Sequence, residues 1–491
     1  MTGQFFLFVF ADSQAEWNTS QWRSLTISDG LNASGKHKAR CIPINDFAQY
    51  GHDTVQAVVG PADVIVVQRN LLHPEIWKAC DYWRGLGKLV VADLDDDYPH
   101  LTPQNPAYPF WILDKAGLKE SLGYTPIEAL TEGFKHVDAL ISPNELIIKD
   151  WQEVLPGFKG YWVPNYAHWP WYKELQQKPF NAETQRRGDA EAFIEEQIVI
   201  GWGGSVSHWD SWWFSGLREV VPEITAQYPR VMWKVCGGDQ RIKQFFERLV
   251  PGRWIDQAGV PPEHWPAQVA SFDIGLAPLC GPEYPQGERY DLRRSWLKAV
   301  EYLLTGVPWL GSEGIVYAKL DGKGGRTVEN SPEAWYEALC DTVDNLAERK
   351  MESKRLMAWA RDNLAMEHVV DQYVQIFNDI AAERNAAQGM RLPNVWYAGD
   401  IFGQTEELAG RVEVSVSGDD VDALAMVQAQ TFRISKEWHE GIPLEYSAGS
   451  GSGQGRDAGP DPGRGLSLAT ILQYPLLTQV NTIAWESTSG S

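Results

Sequence analysis

The sequence predicts two successive doubly wound α/β domains, and three observations carry that reading. Short apolar runs rich in Val and Ile alternate with segments of helical periodicity, the pattern of buried parallel strands joined by crossover helices. The alternation stops near Asn165, where Pro170, Pro179 and the polar stretch Asn181–Glu191 follow, and it restarts at Ile198. The chain is 491 residues long, too many for one ordinary core.

Taken in order, the runs Phe5–Phe10, Val64–Val67, Leu89–Ala92, Ala139–Ser142 and Tyr161–Val163 read as strands of a first domain spanning 1–167. Amphipathic helices at Pro74–Arg84 and Pro126–His136 lie between them. Residues 168–197 read as a linker with one short helix. In a second domain spanning 198–360, the strands are Ile198–Trp202, Val231–Cys236, Ile274–Ala277 and Pro308–Leu310. Helical signals dominate from Pro332 to Glu383. Beyond them, 386–491 forms an extension in which Val412–Val416 and Thr431–Ile434 are candidate strands and the Gly/Pro-rich 449–465 a flexible loop.

Composition narrows the function. The balance of 43 basic against 65 acidic residues gives a net charge of -22, which repels nucleic acid and anionic membrane on average. The five cysteines (Cys41, Cys80, Cys236, Cys280 and Cys340) are scattered and never form C-x-x-C, so neither a disulfide framework nor a zinc site is expected. Phe5–Phe10 is too short for a signal-peptide core, and no stretch approaches the roughly 20 apolar residues of a membrane span. The expectation is a soluble cytoplasmic protein with no cofactor and no bound metal.

The most informative segment is 291–312, DLRRSWLKAVEYLLTGVPWLGS. Read as one helix, it puts Trp296, Leu297, Val300, Leu303 and Leu304 on one face and Ser295, Lys298, Glu301 and Tyr302 on the other. Gly306 is its stop, and Val307–Leu310 the next buried strand. A helix start crowded with Arg293, Arg294 and Ser295 suits an anion. A carboxylate two turns further in, at Glu301, suits the hydroxyls of a ribose. A solvated Lys/Glu face on an ordinary amphipathic helix fits the same spacing.

This segment resembles the donor-site helix of family 4-like glycosyltransferases of the GT-B fold, a type also found in phages. Arg294, Ser295, Leu297, Lys298, Glu301, Tyr302, Gly306 and Pro308 match the family's signature. The run 272–279 (FDIGLAPL) is similar to the strand and loop before that helix. Gly203, Gly204 and Ser205, with His208 close behind, fall in what resembles the first loop of the donor domain. Val163-Pro164-Asn165 is similar to the motif closing the first domain, and 361–385 to the terminal helix that returns to it. Arg293 and His208 depart from the pattern, standing where many members carry glutamate and basic residues respectively. The resemblance implies two Rossmann-like domains facing across a cleft and transfer of a sugar from a nucleoside diphosphate; the nucleotide stays open between UDP, which is favoured, and GDP. It further implies retention of configuration and no essential metal. Lys298, Arg294 and His208 would then act on the leaving diphosphate, and Glu301, Ser295, Gly203, Gly204, Ser205 and Tyr302 would bind the donor. The acceptor stays open between a glycan or its lipid-linked precursor and a modified base of phage DNA. A non-catalytic carbohydrate- or nucleotide-binding protein on the same fold is the alternative.

The first domain is expected to bind the acceptor. The loop after its first strand carries Trp17 and Trp22, which could stack on a ring or pack beneath the loop, and Arg23, which resembles a phosphate-facing arginine. The run 93–97 (DLDDD) invites a rival reading, because D-x-D at Asp95 and Asp97 is the metal-binding pattern of GT-A enzymes.

Overall fold

The computed structural model describes residues 7–12, 19–177, 197–237 and 240–388. Six parallel strands make the first sheet: β1 (Leu7–Asp12), β2 (Lys38–Pro43), β3 (Val64–Gln68), β4 (Leu89–Asp93), β5 (Ala139–Ser142) and β6 (Gly160–Trp162), in the order β2-β1-β3-β4-β5-β6. A second sheet of six holds β7 (Ile198–Gly203), β8 (Val231–Cys236), β9 (Trp254–Gln257), β10 (Ile274–Ala277), β11 (Trp309–Ser312) and β12 (Gly325–Val328), in the order β12-β11-β10-β7-β8-β9. Helices cover both faces of each sheet, so β1, β3 and β4 are buried along their whole length. The two sheets face each other across a cleft, which is the expected GT-B arrangement.

Strands β2, β9 and β12 are absent from the sequence reading, and all three are sheet edges. An edge strand packs against one neighbour only, so charged residues such as Lys38, Asp256 and Arg326 interrupt the apolar run that reveals a central strand. The first expected strand begins two residues late, at Leu7, because Phe5 and Phe6 lie outside the described residues. The expected short linker helix is Lys173–Gln177, whereas Pro179 and Asn181–Glu191 also lie outside, as do Val412–Val416, Thr431–Ile434 and 449–465.

The chain crosses between domains twice at one place. Ala167 on the outward path donates to the Leu364 carbonyl at 3.0 Å and accepts from the Met366 amide at 2.9 Å on the return. The helix Met366–Gln388 then buries Met366, Val369, Val370, Tyr373, Val374, Phe377 and Ile380 against Phe8, Phe10 and Ile27 of the first domain. Each large side chain removed from water there contributes about 1.5–3 kcal/mol, which anchors the returning helix on the first domain. Among the described residues no helix is long and apolar enough to cross a membrane.

Leu297–Thr305, the helix that faces the cleft, stops at Gly306 in the left-handed region (φ 69°). A Cβ there would also stand 2.7 Å from the Met357 sulfur. Gly306→Ala is therefore expected to lower stability by about 1–2 kcal/mol, measurable by urea denaturation. An unchanged midpoint would show that this helix end relaxes freely.

Candidate functional site

A cleft of about 720 Å³ opens at the C-terminal ends of the strands, lined from both domains. Its second-domain wall starts from the loop after β7, where Gly203, Gly204, Ser205 and His208 all line the space. That loop is packed closely: a Cβ on Gly203 would meet the Trp265 ring at 2.2 Å, and one on Gly204 the Trp202 ring at 2.6 Å. The Gly204 amide is already spent on the Cys236 carbonyl at 3.0 Å.

The segment 291–296 is not the first turn of the cleft helix, as the sequence suggested. A separate short helix, Pro285–Asp291, ends on its first residue, and the cleft helix starts at Leu297. Arg293 and Arg294 consequently point in different directions. Arg294 reaches the cleft, with its Nε on Asp291 at 2.6 Å, Nη2 on the Ser207 carbonyl at 2.7 Å and Nη1 at 3.4 Å from His208 Nε2. Its guanidinium also lies over the Tyr290 ring, 4.7 Å from the centroid. Arg293 turns to the first domain instead, against Asp150 at 2.5 Å and Asp97 at 3.3 Å. It cannot stand in for Arg294.

Ser295, Lys298 and Glu301 line the cleft together with Leu297. Tyr302 does not: it is 2% exposed, and its hydroxyl donates to the Leu276 carbonyl at 2.7 Å inside the core. The helix is covered by the sheet on one side and by the helix Leu346–Leu364 on another, so Tyr302 is core although it shares a wheel face with Lys298. Conversely, Trp296 leaves the predicted apolar face and crosses to the first domain, where Nε1 donates to the Asn165 carbonyl at 2.9 Å.

Electrostatics single out the same residues. Burial raises the Glu301 carboxyl above its ordinary value, opposed by the Trp265 indole and by Lys298. Burial also holds Lys298 below the usual lysine range; Glu301 opposes this and Arg294 adds to it. Burial works against the charge of Arg294, but Tyr290, Asp291 and Asp96 outweigh it and keep the guanidinium charged. His208 is pushed well below its ordinary value by burial, then by Arg294 and Lys298. It is a neutral ring, not a reserve cation, with Nε2 facing Arg294 and Nδ1 buried without a hydrogen-bond partner. Perturbed titratable groups gathered in a cleft mark a functional site on physical grounds.

On the first-domain wall stand Thr19, Gln21, Trp22, Asp95, Asp96 and Asn105. Trp22 borders the cleft and meets Trp171 edge-on at 5.9 Å; Trp17 lies outside the described residues. Arg23 lies at the base of this wall, and its guanidinium is already taken up: Nε contacts Asp93 at 3.0 and 2.9 Å, and Nη1 donates to the Val163 carbonyl at 2.7 Å and to Asn165 Oδ1 at 3.0 Å. Both charged side chains are 1% exposed, so this pair holds strand ends rather than meeting a ligand.

Asp95 and Asp97 do not converge as a metal pair. Asp95 faces the cleft and accepts from Thr19. Asp97 is buried away from it, against His100 Nδ1 at 2.8 Å and Arg293 at 3.3 Å. Asp97, His100 and Asp150 do bring three ligand atoms within 4.8 Å of one another, but the Arg293 guanidinium already sits on both carboxylates. Asp96, between the two, accepts from the Tyr290 hydroxyl of the second domain at 2.9 Å. Sequence reasoning missed Asp96, Asn105, Tyr290 and Trp265 as cleft or bridging residues. Asp96 stood inside the acidic run 93–97 without being singled out, Tyr290 and Trp265 lie on short helices and Asn105 in a loop that carry no motif, and Asn165 was seen only as part of one.

No family model matches this sequence, and a comparison with curated proteins finds no match either. Solved structures with a similar chain path include sucrose-phosphate synthase from Thermosynechococcus elongatus (10% identity, TM-score 0.48, covering 78% of this chain and 100% of that one). Anabaena HepE in complex with UDP is similar at 11% identity and TM-score 0.47, over 77% and 100% of the two chains. The UDP-GlcNAc 2-epimerase from Neisseria meningitidis bound to UDP-GlcNAc follows at 10% and 0.41, over 76% and 100%. At this identity the likeness concerns chain path alone.

The locked Arg23–Asp93 pair yields a test. Removing one partner leaves a buried charge uncompensated, so Arg23→Ala or Asp93→Ala is expected to cost about 3–5 kcal/mol, read by chemical denaturation. A loss below about 1 kcal/mol, the range of an exposed pair, would mean that Arg23 is free to turn into the cleft.

Proposed function

We propose that this protein is a nucleotide-sugar-dependent glycosyltransferase, retaining and metal-independent, with a UDP-sugar as donor and a glycan as acceptor. The reading is carried by one observation: Ser295, Arg294, Lys298 and Glu301 converge on one side of the interdomain cleft, around the start of one helix. The positive end of the helix dipole and the two cations suit a diphosphate. The buried carboxylate one turn further along suits ribose hydroxyls.

The chemistry asks little beyond this. Cleaving the bond between sugar and diphosphate develops negative charge on the leaving phosphate and positive charge on the ring. Arg294, fixed by Asp291 and Ser207, and Lys298 would stabilise the first without reorganising. Trp22, Gln21, Asp95 and Asn105 on the opposite wall would bind acceptor hydroxyls and hold the two substrates together. An acidic wall suits a hydroxyl-rich acceptor better than the phosphates of DNA.

Two mutants separate binding from catalysis. Glu301→Ala is expected to weaken UDP binding by about 1.5–3 kcal/mol while the fold persists. Lys298→Ala is expected to lower kcat a hundredfold to a thousandfold, roughly 3–4 kcal/mol, with KM changed much less. Titration calorimetry and steady-state assays of UDP-sugar turnover in buffer containing EDTA read both. Nucleotide affinity indifferent to Glu301 would remove the main support, and binding without turnover would leave a binding protein.

A pH profile follows from the displaced groups. The Lys298 charge is lost on going up through its lowered pKa, and the Glu301 charge on going down through its raised one. UDP affinity is therefore expected to peak near neutrality and fall on both sides. On the alkaline side an arriving diphosphate restores the ammonium, so binding takes up protons. Calorimetry in two buffers of different ionisation enthalpy measures that uptake; none at alkaline pH would place Lys298 away from the phosphates.

A further inference from the structure

Asn165 stands just past β6, at the point where the first domain meets the cleft helix of the second. Arg23 Nη1 donates to its Oδ1 at 3.0 Å. A guanidinium offers donors only, so this contact fixes which side-chain atom is the oxygen. The amide nitrogen is thereby fixed as the atom facing Ser295, and it donates to Ser295 Oγ at 3.0 Å. Trp296 Nε1 holds the same residue by its carbonyl at 2.9 Å. Arg23 is in turn immobilised by the buried Asp93.

This sequence of donors has a directional consequence. An amide N–H cannot accept, so Ser295 Oγ accepts from Asn165 and its own proton must point elsewhere. Among the described residues no acceptor engages that proton, and Ser295 lines the cleft beside Arg294 and Lys298. We infer that Asn165 is a positioning residue: it makes the Ser295 hydroxyl a donor directed at a phosphate oxygen of the bound nucleotide. The inference rests on the proposed reading of the cleft as a nucleoside diphosphate site. It adds that the first domain, through Asp93, Arg23 and Asn165, orients a group of the second.

A double-mutant cycle tests it, with Asn165→Ala, Ser295→Ala and the double variant titrated with UDP and GDP and melted thermally. Each single change is expected to weaken binding of the preferred nucleotide roughly tenfold to a hundredfold, the range for a hydrogen bond to a charged group. The double variant is expected to be no weaker than either single one, because both remove the same donor. A residue that merely docked the domains would lower the melting temperature and weaken binding independently of Ser295. Asn165→Asp covers the case in which the alanine variant does not fold. It keeps an acceptor for Arg23 but draws the Ser295 proton back onto itself, so its loss of affinity should shrink markedly in the Ser295→Ala background. Multiplying losses, or an unaffected Asn165→Ala, would overturn the inference alone, provided binding still depends on Glu301. If neither nucleotide binds, or binding ignores Glu301, the reading of the cleft falls and the inference with it.

Discussion

The segment Tyr290–Trp296 is held by the opposite domain almost residue by residue, and the site depends on that clamp. The Tyr290 hydroxyl bonds Asp96 and Asn105; the Leu292 and Arg294 carbonyls accept from Asn144; Arg293 pairs with Asp150; Ser295 and Trp296 both bond Asn165. A loop that precedes a helix is ordinarily free to move. Here it has no such freedom, and the groups at the mouth of the helix are fixed before any ligand arrives. Pre-organisation of this kind is what electrostatic stabilisation requires.

The same clamp explains how a concentration of charge survives in a half-enclosed space. Arg294, Lys298, Glu301, Asp96 and Asp291 lie close together with most of their water removed, and the displaced proton affinities of Asp96, Lys298 and Glu301 record the cost. Local partners, Asp291 and Tyr290 for Arg294 and Glu301 for Lys298, offset part of that cost. The rest is carried by the cores behind the site, where each sheet is packed on both faces and the returning helix adds an apolar seam. Buried charge set against strong flanking cores is the balance expected where a site's function is held at the expense of local stability.

The division of labour between the arginines shows how contacts across the cleft reassign residues that look equivalent. Arg23, Arg293 and Arg294 all belong to motifs that invite a phosphate role. Two of them meet carboxylates closely enough to be consumed: Arg23 by Asp93, and Arg293 by Asp150 and Asp97. Arg294 also has a carboxylate partner, yet it keeps a face on the cleft because its own backbone turn and the Tyr290 ring direct it there. The acidic run 93–97 is divided in the same way, with Asp93 and Asp97 structural and Asp95 and Asp96 on the cleft wall.

The sequence by itself determined the two-sheet architecture, because central parallel strands are buried on both faces and must be written as continuous apolar runs. It also determined the body and the stop of the cleft helix, though not its start, since Gly306 and the Lys298–Glu301 spacing are local properties of one turn-by-turn pattern. Three of the four edge strands, β2, β9 and β12, stayed hidden, because a strand with one neighbour tolerates charge. Only the tertiary structure decided which polar residues are working groups. Tyr302 went to the core because a helix packed on two sides has a narrower free face than its wheel suggests. Arg23, Arg293 and Asp97 became supports, because partners distant in sequence stand within hydrogen-bonding distance: Asp93 for Arg23, Asp150 for Arg293, and Arg293 itself for Asp97. Periodicity reports which face of an element is apolar; which charges meet across a cleft is set by the packing of two domains, and no window along the chain contains it.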